Sequence, residues 1–130
     1  MPARGATIVS LKGVGKSFAN GTQAIAELDL DVSAGEFLTL LGPSGCGKST
    51  ALRLIASLAE PSRGTVAWAH SRKPGDIGFV FQEPTLMPWA TVAKNVALPL
   101  DLKGVNGADI RGRTADALPR VGLSGVEDSY

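Results

Sequence analysis

Gly42-Pro43-Ser44-Gly45-Cys46-Gly47-Lys48-Ser49-Thr50 fits the pattern G-x-x-x-x-G-K-[ST], with Gly42, Gly47, Lys48 and Ser49 in the required places. Ahead of it, Phe37-Leu38-Thr39-Leu40-Leu41 is a short apolar run fit for a buried strand. Behind it, residues 51–59 carry Leu52, Ile55 and Ala59 at helical spacing. Strand, glycine-rich turn and helix form the setting in which this pattern is a phosphate-binding loop. Glycines at 42, 45 and 47 open backbone conformations closed to other residues, so successive N–H groups can face one concavity. The helix adds unpaired first-turn N–H groups and the positive end of its dipole. Each hydrogen bond to a charged oxygen contributes about 1.5–3 kcal/mol, so several together hold a polyphosphate. In this reading Lys48 sets a point charge near the β and γ phosphates, the Ser49 hydroxyl is a Mg2+ ligand, and Thr50 is a further donor. A glycine-rich turn that binds nothing is the alternative, and the agreement of both flanks argues against it.

A second G-K-S lies upstream in Gly13-Val14-Gly15-Lys16-Ser17. The first glycine of the pattern is due at position 10, which is Ser10, and the residues that follow include Asn20-Gly21, a hairpin signal. Lys16 is therefore read as a solvated strand residue.

The 130 residues suffice for one modest domain with a real core. A net charge of +1 gives no electrostatic case for nucleic acid or for an acidic membrane surface. No apolar run approaches the roughly 18 residues that span a bilayer, and residues 1–7 lack the apolar core of a secretory signal. A single cysteine excludes an internal disulfide and suits the cytosol. Before the loop, apolar residues stand at Val9, Leu11, Val14 and Phe18. After the turn at Asn20-Gly21, Leu28, Leu30 and Val32 alternate with Asp29 and Asp31 as in a half-buried strand, and Ser33-Ala34-Gly35-Glu36 turns again. Mainly antiparallel strands thus precede the loop. Beyond it, Ser62-Arg63-Gly64 turns into a strand over 65–68. Lys73-Pro74-Gly75-Asp76 leads into Ile77-Gly78-Phe79-Val80-Phe81, a second buried strand of parallel type. From Thr91 the pattern is helical, with breaks at Pro99 and around 104–107. A helix over 109–121 should kink or end early at Pro119.

With these segments in place, the chain resembles the ATP-binding subunit of an ABC transporter. The resemblance rests on Val14-x-Lys16-x-Phe18, Leu28-x-Leu30-x-Val32-x-x-Gly35-Glu36, the phosphate loop, and Phe79-Val80-Phe81-Gln82-Glu83-Pro84, which is similar to the family's Q-loop. Leu86-Met87-Pro88-Trp89-x-Thr91-Val92-x-x-Asn95-Val96 is similar to importers of the nitrate, sulfonate and taurine type. The resemblance implies an α/β fold with a truncated P-loop NTPase core of ABC type. Antiparallel strands would occupy 7–35, the core to the Q-loop 36–82, and the start of a helical subdomain 83–130. It implies ATP and Mg2+ as cofactors, bound by Phe18, Gly42, Pro43, Ser44, Gly45, Cys46, Gly47, Lys48, Ser49, Thr50 and Gln82. Phe18 would stack on adenine; the other reading makes it a core or edge phenylalanine. Gln82 would reach Mg2+ with Ser49 and help position the attacking water beside Lys48; the other reading makes it a polar strand end. The segment near Gln82–Trp89 would meet a transmembrane permease, with Trp89 either an exposed anchor or a core tryptophan. A second ATP-binding subunit is the other implied partner, nucleic acid is not one, and the implied place is the cytoplasmic face of the plasma membrane. Cys46 is open to oxidation at a helix N-terminus, or is simply a small residue. His70 reads as a solvated loop residue.

Parts of the family pattern are missing. Leu123-Ser124-Gly125 continues as Val126-Glu127 and is not the Leu-Ser-Gly-Gly-Gln signature. No apolar strand ending in Asp-Glu follows the Q-loop, and there is no switch histidine. Without an acidic pair, metal-assisted hydrolysis lacks its water-activating group. The expectation is an importer's ATP-binding part that, as these residues stand, binds ATP without turnover. Ser57 stands where the family usually has glycine. A P-loop kinase is a weaker alternative, because 41 residues of strand and turn precede Gly42.

Overall fold

In the computed structural model, which describes residues 5–71 and 76–130, Val9, Leu11 and Val14 share one strand, β1 (Thr7–Ser17), although their spacing changes phase. Gly13 absorbs the change. Its φ is +55°, its N–H donates to Asp29 Oδ1 at 2.7 Å, and the register against β2 (Gln23–Ser33) shifts between Leu11 and Val14. This bulge lets all three apolar side chains face inward, at 2%, 0% and 0% exposure. Between the strands, Phe18 and Thr22 close the hairpin, with Gly21 at φ +82° and Asn20 Oδ1 accepting from the Thr22 N–H. On β2, Asp31 accepts from Ser10 and Lys12 of β1, and these contacts, Ser10 first, hold its carboxyl below the usual range. The third strand, β3 (Arg63–Trp68), pairs antiparallel with β1, so the sheet order is β2-β1-β3.

Helix α1 (Lys48–Ile55) packs Ala51 and Leu54 into a core with Val9, Leu11, Val14 and Ile25. Leu52, placed on the inner face by its spacing, is instead 48% exposed. The helix starts at Lys48, and its inward positions are the i, i+3 pair Ala51 and Leu54. It ends in a Schellman arrangement: the Leu58 N–H reaches Arg53 O at 2.8 Å and the Ser57 N–H reaches Leu54 O at 3.1 Å. Such an end requires a left-handed residue, and Ser57 has φ +57°, alone among the described non-glycine residues. The departure from glycine at this position is thus a strained helix cap.

Two expected strands do not form. Residues 37–41 and 77–81 join no sheet, and Phe37, Leu41 and Val80 are 95%, 88% and 93% exposed. Apolar sequence alone cannot make a parallel strand, which needs a ladder and cover on both faces. Among the described residues no strand pairs with either run, and only Leu40 of the first packs against the core. Of the turn expected at 73–76, residues 73–75 lie outside the described residues.

Contacts divide the chain into a first unit ending at residue 72 and a second beginning at 73. In the second, α2 (Val92–Leu102) is capped by Thr91 and α3 (Gly107–Arg120) by Asn106, whose Oδ1 accepts from the Ala108 and Asp109 N–H groups at 3.0 Å. The helix runs through Pro99, against the expected break, and stops at Gly104, φ +70°. Pro99 has no N–H for the Asn95 carbonyl, but one missing bond is tolerated within eleven residues of helix. Ile110, Thr114 and Leu118 form the buried face of α3, which ends one residue past Pro119. The false signature at 123–125 lies in turns of the segment whose carbonyls at Glu127 and Ser129 accept the Ala93 and Val92 N–H groups of α2. There the Glu127 carboxyl is held low by its own N–H and that of Gly125.

Replacing Ser57 with glycine removes the left-handed penalty of a Cβ, about 1 kcal/mol, and should raise first-unit stability by up to that amount. A thermal melt with an unchanged or lower midpoint for Ser57→Gly would contradict the strained cap.

Candidate nucleotide-binding site

The stretch from Gly42 to Gly47 is an exposed turn, tightened by a Cys46 N–H bond to Pro43 O at 3.3 Å. Gly45 and Gly47 have φ values of +79° and +95°, conformations that a Cβ would penalise. Gly47 is the N-cap of α1 and offers no side-chain cap, and the first intrahelical bond is Ala51 N–H to Gly47 O. The amides of Lys48, Ser49 and Thr50 therefore have no acceptor among the described residues. Three adjacent open donors at the positive end of a helix suit an anion.

Close packing fixes this helix start. A Cβ on Gly47 would stand against the Ala24 carbonyl oxygen of β2 and 3.0 Å from Ile25 Cγ1. Glycine is needed at 47 twice over, for its backbone conformation and for this approach. Ala24 lies two strand residues, about 6.6 Å, beyond Thr22, and Thr22 O accepts the Phe18 N–H at 2.9 Å. The helix start and the Phe18 hairpin thus both meet the beginning of the same strand. The Phe18 side chain is 44% exposed and so is no core residue.

Lys48 folds back over the loop. Its Nζ donates to the carbonyl oxygens of Gly42 and Pro43, both at 2.7 Å, and lies 3.4 Å from Cys46 Sγ. These acceptors are uncharged and exposed, so a phosphate oxygen is a stronger partner within the same reach. Gly42, expected to need glycine's backbone freedom, has no positive φ; a Cβ there would come 2.7 Å from Cys46 Sγ, an exposed side-chain end that can turn aside.

Lys16 departs from expectation. It stands in β1, as the hairpin argument required, yet it is half-buried and not simply solvated. Its Nζ donates to Glu60 O at 2.7 Å and lies 5.6 Å from the centre of the Phe18 ring. Its strand position was legible, but contacts 44 residues away leave no local signal. His70 is exposed as expected.

Gln82 belongs to the second unit, exposed on a bend after the Phe79–Phe81 ring pair, whose centroids are 4.8 Å apart. Trp89 is 75% exposed among the described residues. Asn95 builds the loop that presents it: Oδ1 accepts the Met87 N–H at 2.8 Å, and Nδ2 donates to Met87, Ala90 and Thr91 carbonyls at 3.1 Å. Asn95 lies inside α2, where the helical pattern gives no local signal of this role. No group of three or more His, Cys, Asp or Glu able to hold a metal occurs among the described residues, and no described helix is long and apolar enough to cross a membrane.

Residues 25–130 match the ABC transporter family. The chain is 40% identical over 129 residues to the aliphatic sulfonates import ATP-binding protein SsuB of Rhodopseudomonas palustris strain BisA53, covering 99% of this chain and 45% of the relative. It is 43% identical over 124 residues to the spermidine/putrescine import ATP-binding protein PotA of Thermobifida fusca strain YX, covering 88% and 32%. Among solved structures, the dimeric post-hydrolysis state of the ATP-binding cassette MJ0796, bound to ADP and Pi, superposes with a TM-score of 0.79 at 32% identity, over 95% of this chain and 61% of that one. The chain spans less than half the length of these curated relatives.

Gly47→Ala should cost more stability than Gly45→Ala. Both residues have positive φ, worth about 1–2 kcal/mol against a Cβ, but open space surrounds Gly45 whereas Gly47 meets β2 backbone. Equal losses on chemical denaturation would show that the helix start is not seated on β2.

Proposed function

The chain belongs to the ABC transporter family, and we propose that it binds ATP at residues 42–50 as the nucleotide-binding part of a solute importer. The observation that carries this reading is the row of open amides at Lys48, Ser49 and Thr50 behind two left-handed glycines. A polyphosphate satisfies those donors and takes the Lys48 ammonium from the Gly42 and Pro43 carbonyls. Gly42, Pro43, Ser44, Gly45 and Cys46 shape the loop, and Phe18 offers the adenine a ring. Ser49 is the proposed Mg2+ ligand of this loop, its hydroxyl being a hard donor of the kind Mg2+ takes beside phosphate, where the ion would neutralise charge on the phosphate oxygens. For Gln82, in the second unit, the role of reaching Mg2+ and positioning water is proposed from the family resemblance alone.

A transmembrane permease is the proposed partner, met through the segment near Gln82–Trp89, where Leu86 and Trp89 are 71% and 75% exposed. That partner would hold the protein at the cytoplasmic face of the plasma membrane. A second ATP-binding subunit is the other proposed partner. The extent of the match to the sulfonate relative favours a sulfonate-type solute, while the polyamine relative shows that these residues serve importers of different cargo. The family match sets the kinase alternative aside.

ATP hydrolysis is proposed for the whole protein and not for these 130 residues alone. They hold no acidic pair at the end of a strand after the Q-loop, and the exposed Phe37, Leu41 and Val80 leave apolar surface for further chain to cover. In calorimetry, Mg-ATP should bind, and Lys48→Ala should weaken it about tenfold or more, the loss of one hydrogen bond to a charged group. Phosphate release by the purified chain should stay at background. Equal ATP affinity in wild type and Lys48→Ala would sink the site, and steady release abolished by Lys48→Ala would reveal a catalytic carboxylate within the chain.

A further inference from the structure

The unused G-K-S at Gly13-Val14-Gly15-Lys16-Ser17 lies inside β1 and opens no helix, so it makes no anion site. Its lysine is nonetheless fixed at two points. Lys16 Nζ donates to Glu60 O at 2.7 Å, and the same ammonium lies 5.6 Å from the Phe18 ring centre, within cation–π reach. Ser62 reinforces the junction. Its N–H donates to Gly15 O at 2.8 Å, its Oγ accepts the Ser17 N–H at 3.0 Å, and its hydroxyl donates to Ser17 O at 3.1 Å. The segment after α1 thus grips the end of β1 immediately before Phe18. An exposed phenylalanine would otherwise sample several rotamers, and a base stacking on it would have to order it.

We propose that Lys16 is a positioning residue for the nucleotide base. It covers one side of the Phe18 ring from a fixed anchor at Glu60 and so presents the remaining face to a purine. The inference rests on the reading of residues 42–50 and Phe18 as an ATP site. It predicts a division of labour: Lys48 acts on the phosphates, and Lys16 acts only on ligands that carry a base.

The test is calorimetry of the 130-residue chain with Mg-ATP and with Mg-tripolyphosphate, which has no base. Lys16→Met should weaken ATP about two- to fivefold, the range of an exposed cation–π contact, and leave tripolyphosphate unchanged. Lys16→Arg should keep wild-type affinity, and in a Phe18→Ala background Lys16→Met should change nothing. Equal weakening of both ligands would overturn the proposal in favour of a general structural role. Unchanged ATP binding in Lys16→Met, with a loss in Phe18→Ala, would overturn it while leaving the ring as base platform. Unchanged binding in Phe18→Ala would remove the platform and this proposal together, whereas the phosphate site stands or falls separately on Lys48→Ala.

Discussion

The contact between Gly47 and the Ala24 carbonyl of β2 is the constraint on which the first unit depends. It sets where α1 begins. A helix begun one residue later would move its open amides along the chain, and one that stood further from the strand would leave Ala51 and Leu54 short of Val9, Leu11, Val14 and Ile25. The same seating fixes the loop to the strand that also ends the Phe18 hairpin. Core packing and ligand geometry are therefore one arrangement here. The glycine bulge at Gly13 serves it from the opposite side by turning Val14 inward beside Leu11.

Charge is placed by the backbone as much as by side chains. Lys48 rests on two carbonyls of its own loop, which holds its ammonium over residues 42 and 43. Cys46 touches both the ammonium and the space above Gly42, so its size matters to the loop whatever its chemistry.

Features fixed by local backbone chemistry were legible in the sequence. Gly45 and Gly47, the Asn20-Gly21 turn, the alternation on β2 and the late proline in α3 each act over a few residues, and each is found where expected, whereas Gly42 has no positive φ. Features that depend on partners were not. The runs at 37–41 and 77–81 have strand composition but no ladder among the described residues. Leu52 was placed inward by spacing alone, whereas the actual phase of the helix is set by its seat on β2. Lys16 read as solvated because its anchor at Glu60 is remote in sequence. The loop that carries Trp89 is held by Asn95 hydrogen bonds to Met87 and Ala90, which the local sequence pattern does not announce.

The central claim is that the open amides at the start of α1 receive phosphate. Amide chemical shifts of the isotope-labelled chain, followed by two-dimensional NMR during Mg-ATP titration, test it most directly. The account predicts the largest, saturable shifts at Gly45, Gly47, Lys48, Ser49 and Thr50, because their N–H groups gain charged acceptors. Shifts confined to other residues, or none within this stretch at saturation, would contradict it.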